Sequence, residues 1–256
     1  MFFEGITMLG EETLIILLVV ALWFAVDKKL AQQVFFVTAT SLSVNGIVKN
    51  FAQVPRPFTK GISCVRPDTA TGYSFPSGHT QTAVGTFGAL AMTTKKRSLC
   101  ALFIILPVLV GFSRMYLGVH TPLDVLVSLG IALVVIFALY FVVYQGFDKP
   151  KRIYIACGVL LAATVANLLF VSLYPFPADV DVVNLANGQK TAWQMLALAI
   201  GVCIIYPLDR HYIKFETKAV WWAQILKLAL GVGLVLAVRV GLKAPLNALF
   251  GVNVGA

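Results

Sequence analysis

The chain has 256 residues, of which 59% are hydrophobic and only 12% are charged, and its mean hydropathy is +0.87. A soluble domain of this length needs far more polar surface, so the composition indicates an integral membrane protein built of helices. The formal net charge of +9 indicates basic loops on the cytoplasmic side of a membrane, a site for an anionic ligand, or both. No basic run is long enough for a nucleic-acid footprint, so we expect no nucleic-acid partner.

The apolar runs predict an all-α fold, a polytopic transmembrane helical bundle of about eight spans. In chain order these are residues 12–26, 30–50, 79–94, 99–114, 122–144, 153–174, 191–206 and 220–238. Glu4, Glu11 and Glu12 stand where a signal peptide has its basic segment, so we expect no cleaved leader. The four cysteines are scattered singly, which predicts neither a disulfide framework nor a zinc site.

The basic residues predict the orientation of the bundle. Eleven of them fall in four short connecting segments, which we expect in the cytoplasm: 28–29, 95–97, 149–152 and 210–218. The outer side then holds both termini and the segments 51–78, 115–121 and 175–190. Basic residues also lie on that side against the orientation rule, which indicates a local use for them: Lys49, Arg56, Lys60, Arg66 and Arg114.

The first outer segment of interest is "KNFAQVPRP", in which Lys49 ends an apolar span and Arg56 follows seven residues later. Taken alone, Lys49 also fits a lysine that snorkels to the membrane interface, and Arg56 fits an ordinary loop charge.

The second segment is "SFPSGHTQT", which predicts the start of a helix. Pro76 discourages a helix through Phe75, and Ser77 suits an N-cap. Gly78 permits close approach of the backbone, and an apolar span begins just after His79. The free amides and dipole of such a helix start attract an anion, although an ordinary capped membrane helix has the same pattern.

The third segment is "SRMYLGVHTPLD", in which Thr121 and Pro122 are typical of an N-cap and a first helical residue. His120 precedes that helix and Asp124 falls in its first turn. Asp124 can therefore reach one ring nitrogen of His120, fix the tautomer and leave the other nitrogen free to attack. A capping aspartate beside an interfacial histidine is the alternative.

Together the three segments place two of the three histidines and three cations at helix ends on one side of the membrane. Lys49, Arg56 and Arg114 could neutralise a tetrahedral oxyanion, with His120 as nucleophile and His79 as proton donor. No carboxylate cluster is present to hold Mg²⁺, and phosphoryl transfer without a metal needs such a cationic cradle. We therefore expect no cofactor.

These segments resemble the three-part signature of the type 2 phosphatidic acid phosphatase superfamily: Lys-x6-Arg-Pro, Pro-Ser-Gly-His and Ser-Arg-x5-His-x3-Asp. Every signature position matches, and the resemblance covers residues 49–124 closely, with none expected beyond about 150. It implies that His120 forms a phosphohistidine, Asp124 orients it, and His79 protonates the leaving oxygen and then activates water. It also implies that the phosphoryl oxygens are held by Lys49, Arg56, Ser77, Gly78 and Arg114.

The function predicted from this resemblance is metal-independent hydrolysis of a lipid-linked phosphate or diphosphate at the outer face of a bacterial plasma membrane. Undecaprenyl diphosphate is the leading substrate, followed by phosphatidylglycerophosphate and phosphatidic acid. A lipid phosphotransferase using the same histidine and an anion transporter are the alternatives.

We expect two parts in the chain. Residues 1–150 form a phosphatase core, with its signature in spans 2–5, and residues 151–256 add transmembrane helices of unknown role. The expected partners are the lipid-phosphate substrate, membrane lipids and a second copy in a homodimer.

Overall fold

The computed structural model describes residues 2–65, 70–177, 180–214 and 216–241, and Arg66 lies outside these ranges. The described residues form nine α-helices and no strand, which confirms the all-α prediction: α1 (Phe2–Met8), α2 (Glu12–Ala21), α3 (Lys28–Ala52), α4 (Gly78–Thr93), α5 (Arg97–Tyr116), α6 (Pro122–Leu139), α7 (Pro150–Leu173), α8 (Val182–Leu208) and α9 (Trp221–Gly241). Short π-helical turns extend three of them: Leu22–Val26 after α2, Tyr140–Tyr144 after α6 and Asp209–Ile213 after α8. A 3₁₀ turn, Pro57–Lys60, lies in the loop after α3.

Within the described ranges, five helices are long and apolar enough to cross a membrane, namely α5 to α9 with the π-turns of α6 and α8. The segments Phe2–Gly10 and Glu12–Val26 qualify together as a sixth, bent by 59°. The expected count of eight spans is not confirmed, because α3 is too polar to meet the same test and α4, with 16 residues, is too short. The chain is nevertheless an integral membrane protein by its apolar helices.

The polar residues of α3 face its neighbours in the bundle. Thr38 Oγ1 lies 3.0 Å from Thr86 Oγ1 of α4, and Asn50 Nδ2 donates to Asn167 Oδ1 of α7 at 3.1 Å. Gln33 Nε2 donates to the carbonyl of Val143 at 2.9 Å. Such hydrogen bonds between helices satisfy polar groups away from water, so α3 can be both polar and central.

Two predicted helix starts are confirmed. Ser77 caps α4 by accepting a hydrogen bond from the amide of Thr80, and Thr121 caps α6 with Pro122 as its first residue. In α6 the cap is reciprocal, because Asp124 also accepts from the amide of Thr121 at 2.8 Å. These caps fix where the second and third signature segments enter the bundle.

The N-terminal segment folds back over the start of α4 at Gly10. A Cβ at Gly10 would lie 2.6 Å from the carbonyl oxygen of His79 and 2.9 Å from Cγ1 of Val110, so only glycine permits this approach. The segment is also tied to α5, since Nη1 of Arg114 donates to Oγ1 of Thr7 at 2.9 Å.

The C-terminal helices pack on the core. The α7–α8 pair lies against α3, and α9 lies against α2 and its π-turn. At Gly231 of α9, a Cβ would lie 2.5 Å from Cε2 of Phe24, so this glycine allows a close contact inside the chain. Gly233 has no heavy atom within 4 Å of its Cβ direction.

Candidate active site

A cavity of about 300 Å³ lies at the end of the bundle where α3 and α5 finish and α4 and α6 begin. Six of the eight predicted site residues line it: Lys49, Arg56, Gly78, His79, Arg114 and His120. Both imidazoles and all three cations therefore meet in one pocket. The other two predicted residues, Ser77 and Asp124, are buried behind this lining.

The loop that carries His120 makes a turn that depends on glycine. Gly118 has φ +72°, and a Cβ there would collide with the carbonyl of Ser63. Only glycine can adopt a positive φ in such close contact with another backbone segment. The turn brings His120 into the cavity, where its side chain is almost fully buried.

The contacts of His120 are consistent with a single tautomer. Its Nδ1 lies 3.4 Å from Oδ2 of Asp124 and 3.3 Å from Oγ of Ser74. Ser74 donates its own proton to Asp124 at 2.6 Å, so both neighbours of Nδ1 are acceptors. The proton of the neutral ring therefore belongs on Nδ1, which leaves the lone pair on Nε2.

Arg56 faces that lone pair and is held by the backbone. Its Nε donates to Gly72 at 3.0 Å and its Nη2 to Thr71 at 2.7 Å. Its Nη1 donates to the carbonyl of Val119 at 3.2 Å and lies 3.4 Å from Nε2 of His120. The guanidinium is thus oriented before any ligand binds.

Two further cations complete the pocket. Lys49 Nζ donates to the carbonyl of Tyr73 at 3.0 Å, and Arg114 is buried with one hydrogen bond, to Thr7. Nε of Arg114 is buried and has no hydrogen-bond partner in the described part of the chain. An unsatisfied guanidinium N–H beside a cavity points to an anionic ligand.

The start of α4 adds backbone to the pocket. Gly78 and His79 are the first two residues of the helix and both line the cavity. The hydroxyl of Ser77 is fully buried and accepts from Oγ1 of Thr80 at 2.9 Å, so its role as a phosphate ligand stays a prediction.

Burial determines the protonation states of the two site residues that lie in loops, His120 and Arg56. Burial, and then the positive charges of Arg56, Lys49 and Arg114, lower the pKa of His120 to about 3, while the contact with Asp124 opposes this. His120 is therefore neutral at physiological pH, as a nucleophile must be. Burial lowers the pKa of Arg56 to about 10, which leaves it charged.

Sequence reasoning missed several residues of this site. Ser74 stands within the quoted second segment but was given no role. Asn45 lies one turn before Lys49 on the same helix face and donates to Oε1 of Gln81 at 2.8 Å. Glu11 and Glu12 line the cavity beside the cations, although their position had been used only to argue against a leader.

Helix α8 also lines the cavity, which the sequence did not predict. Asn187, Gly188, Thr191 and Met195 line the cavity, more than sixty residues beyond the last signature position. No motif marks them, and the only signal is their spacing along one face of a helix.

Within the described ranges, no group of three or more His, Cys, Asp or Glu side chains is arranged to hold a metal ion. The ionisable groups that line the cavity are the three cations, the two histidines and the glutamate pair.

These features define a class of protein: an integral membrane protein of helices with a cavity, lined by histidines and cations, at one end of its bundle. Comparison with known families is consistent with this class. The PAP2 superfamily matches residues 30–148, and the PAP2 superfamily phosphatase, transmembrane extension, matches residues 193–254. The chain therefore contains a PAP2 superfamily domain, as its three-part signature predicts. The second match corrects our expectation that the resemblance ends near residue 150.

Curated relatives are similar over part of their length. Undecaprenyl-diphosphatase BcrC of Bacillus subtilis is 30% identical over 48% of this chain and 65% of its own. The putative undecaprenyl-diphosphatase YbjG of Escherichia coli is 32% identical over 44% of this chain and 59% of its own. Phosphatidylglycerophosphatase B of Bacillus subtilis is 36% identical over 36% of this chain and 50% of its own. The matched regions thus span between half and two thirds of these relatives, and no solved structure matches the chain.

Proposed function

We propose that this protein is a membrane phosphatase that hydrolyses a lipid-linked phosphate or diphosphate through a phosphohistidine on His120. The observation that carries the proposal is the contact geometry of that ring. Its Nδ1 side is held by Asp124 and Ser74, and its Nε2 side faces Arg56 in a cavity with two more cations. A neutral, oriented imidazole in a cationic pocket is suited to attack phosphorus.

The reaction proceeds in two steps. Nε2 of His120 attacks phosphorus and the bond to the leaving oxygen breaks, while His79 gives that oxygen a proton. Water then attacks the phosphohistidine, His79 takes a proton from the water, and inorganic phosphate leaves with the ring restored. For a diphosphate substrate the first product is the lipid monophosphate.

Charge stabilisation in this scheme comes from side chains and backbone. Lys49, Arg56 and Arg114 surround the position of the phosphoryl group, and the amide of Gly78 offers a further donor at the start of α4. Three fixed cations can stabilise the charge spread over the phosphoryl oxygens, which supports a metal-independent mechanism. Ser77 is a further candidate ligand of these oxygens.

Undecaprenyl diphosphate is the leading substrate. The similarity to two proteins named as undecaprenyl-diphosphatases supports it. Phosphatidylglycerophosphate is the second candidate, supported by the 36% identity to a phosphatidylglycerophosphatase. Both present a phosphate group on an apolar tail, so one pocket at the end of a membrane bundle suits either.

The charge pattern of the loops supports a site on the extracytoplasmic side of a bacterial plasma membrane. The loops at the opposite end of the bundle carry eleven of the basic residues, as the cytoplasmic ends of membrane proteins do. A lipid could then reach the pocket from the membrane with its phosphate group.

The test is phosphate release by the purified protein in detergent from four substrates: undecaprenyl diphosphate, phosphatidylglycerophosphate, phosphatidic acid and a soluble sugar phosphate. We expect release that persists in EDTA, is blocked by vanadate and is abolished by His120→Ala. His211→Ala is the matched control, because His211 is exposed in the π-turn after α8, and it should keep full activity. Activity that EDTA removes and Mg²⁺ restores would contradict the mechanism. Transfer of phosphate to an acceptor lipid in place of water would identify a phosphotransferase.

A further inference from the structure

A second cavity, of about 460 Å³, lies along the bundle between α2, α3, α8 and α9. Its lining is almost entirely apolar. The side chains that form most of it include Ile15, Val19, Trp23, Phe35, Leu198 and Val235. We call this cavity the apolar groove.

The apolar groove meets the candidate active site. Glu12, Leu42, Thr82 and Met195 line both cavities. A molecule whose charged end lies among the cations therefore has a direct path into the apolar groove, past side chains from four different helices.

One face of α8 runs along both cavities. Thr191 lines the active site, Met195 lines both cavities, and Leu198 and Ile205 line the apolar groove. These spacings of four, three and seven residues keep the side chains on one side of a helix. At 1.5 Å per residue, the distance from Met195 to Ile205 is about 15 Å, or roughly half the thickness of a bilayer core.

Helix α9 forms the outer wall of the apolar groove. It supplies Val235, and it is held against α2 through the close contact of Gly231 with Phe24 and Val20. Helices α2 and α9 are therefore in contact with each other. The space left between them is narrow and begins at the phosphate pocket.

We propose that the apolar groove binds the hydrocarbon tail of the lipid whose phosphate occupies the active site, an inference that rests on the proposed function. An apolar cavity of this kind does not retain ordered water, because water finds no polar partners there. Hydrocarbon loses nothing by leaving the bilayer for such a lining and gains contacts with it. Helices α8 and α9 then contribute to substrate selection by the length and shape of the tail.

The experiment fills the apolar groove and compares a long tail with a short one. Val235→Trp places a large ring in the groove, and Val238→Trp on the same helix is the matched control, because Val238 is 48% exposed and lines neither cavity. The substrates are undecaprenyl diphosphate and dimethylallyl diphosphate, which carries the same head group on one isoprene unit. We expect Val235→Trp to lower kcat/KM for the long substrate about tenfold, mainly through KM, and to leave the short substrate within about twofold.

The outcomes separate this proposal from the proposed function. If the wild-type protein hydrolyses neither substrate, the proposed function fails. If it hydrolyses both and Val235→Trp lowers both equally, or changes neither, the tail site is overturned. An equal loss with Val238→Trp would also overturn it, because the effect would then not depend on the groove.

A second measurement does not depend on turnover. A hexadecyl phosphonate with a diazirine at the end of its chain is photolysed with the His120→Ala protein in detergent, and the labelled peptides are identified by mass spectrometry. We expect label on α2 and on α8 near Leu198 to Ile205, reduced by Val235→Trp and not by Val238→Trp. Label confined to the exposed faces of α5, α6 and α7, as expected of a tail left in the detergent or bilayer, overturns the proposal.

Discussion

Ser74 donates a hydrogen bond of 2.6 Å to Oδ2 of Asp124, and its own oxygen lies 3.3 Å from Nδ1 of His120. The serine therefore joins the carboxylate and the ring that the third signature segment supplies. Asp124 Oδ2 also accepts from the amide of Thr121, so one oxygen both caps α6 and orients the histidine. The chemistry of the site and the start of a helix depend on the same atom.

We predict that Ser74→Ala lowers kcat about tenfold. The substitution removes a buried hydrogen bond to a charged group, a loss of about 1.5–3 kcal/mol, and frees the ring of His120 to rotate. The measurement is single-turnover phosphate release. Ser43→Ala is the matched control, since the buried hydroxyl of Ser43 donates to the carbonyl of Ala39 in its own helix. If Ser74→Ala keeps wild-type kcat, Ser74 does not position the histidine.

The titration of His120 is a second prediction. Burial lowers its pKa in the folded protein to about 3, against about 6.5 for an unperturbed histidine. The unfolded chain then binds more protons than the folded protein between these two pH values. The contribution of His120 to the free energy of unfolding is therefore fully present above about pH 6.5 and is lost as the pH falls towards 3. NMR of ¹⁵N-histidine-labelled protein should show a neutral ring from pH 8 to about pH 5.

Variants sharpen that measurement. His120→Gln and His211→Gln assign the resonances, and Asp124→Asn should lower the pKa of His120 further, because the contact with the carboxylate raises it. Asp124→Asn should also slow phosphate release about a hundredfold without abolishing it. A His120 resonance that titrates at or above pH 6.5 in the phosphate-free protein would contradict the burial argument.

The contact between α8 and α3 is open to a paired glycine test. A Cβ at Gly188 would lie 2.6 Å from Oδ1 of Asn50, whose amide nitrogen already donates to Asn167 and to the carbonyl of Gly188. Gly188→Ala should therefore push α8 away from the cavity, raise KM and lower the free energy of unfolding by about 1–3 kcal/mol. At Gly201, on the same helix, nothing lies within 4 Å of the Cβ direction.

Gly201→Ala should accordingly leave activity unchanged and leave stability equal or slightly higher, because alanine favours a helix by about 0.5–1 kcal/mol. Thermal unfolding in detergent and KM for the preferred lipid are the measurements. Equal effects of the two substitutions would mean that α8 does not shape the site.

The bend at Gly10 gives a fourth prediction. Gly10→Ala must displace either the N-terminal segment or the first turn of α4, because the new Cβ would contact the carbonyl oxygen of His79. We expect kcat to fall about fivefold to tenfold as His79 moves, since small displacements in a site are costly. Gly5→Ala is the control, because its Cβ direction is open, and it should have no effect. Wild-type kcat in Gly10→Ala would show that the bend does not position His79.

Local sequence signals accounted for much of this site. The caps at Ser77 and Thr121 depend only on neighbouring residues, and both appear where the sequence predicted them. The signature residues converge because their segments all lie at one end of the bundle. Local signals of this kind can be recognised in the sequence before the fold is known.

The remaining features depend on contacts between distant parts of the chain. Ser74 acquires its role only when its loop meets the start of α6, and Gly188 only when α8 packs on α3. The span count, which was predicted from apolar runs, was not confirmed because α3 carries buried polar residues that bond to neighbouring helices and α4 has only 16 residues. The division into residues 1–150 and 151–256 stays a prediction, although α8 lines the cavity of the first part.

The three carbonyls that hold Arg56 belong to two separate loops, since Thr71 and Gly72 precede α4 and Val119 precedes α6. The same side chain would touch the bound phosphate. Phosphate binding and the ordering of these two loops are therefore thermodynamically linked, so that each stabilises the other. Replacing this arginine by lysine would keep a positive charge but lose the several N–H donors of the guanidinium. The contact between the two loops and the affinity for phosphate would then weaken together.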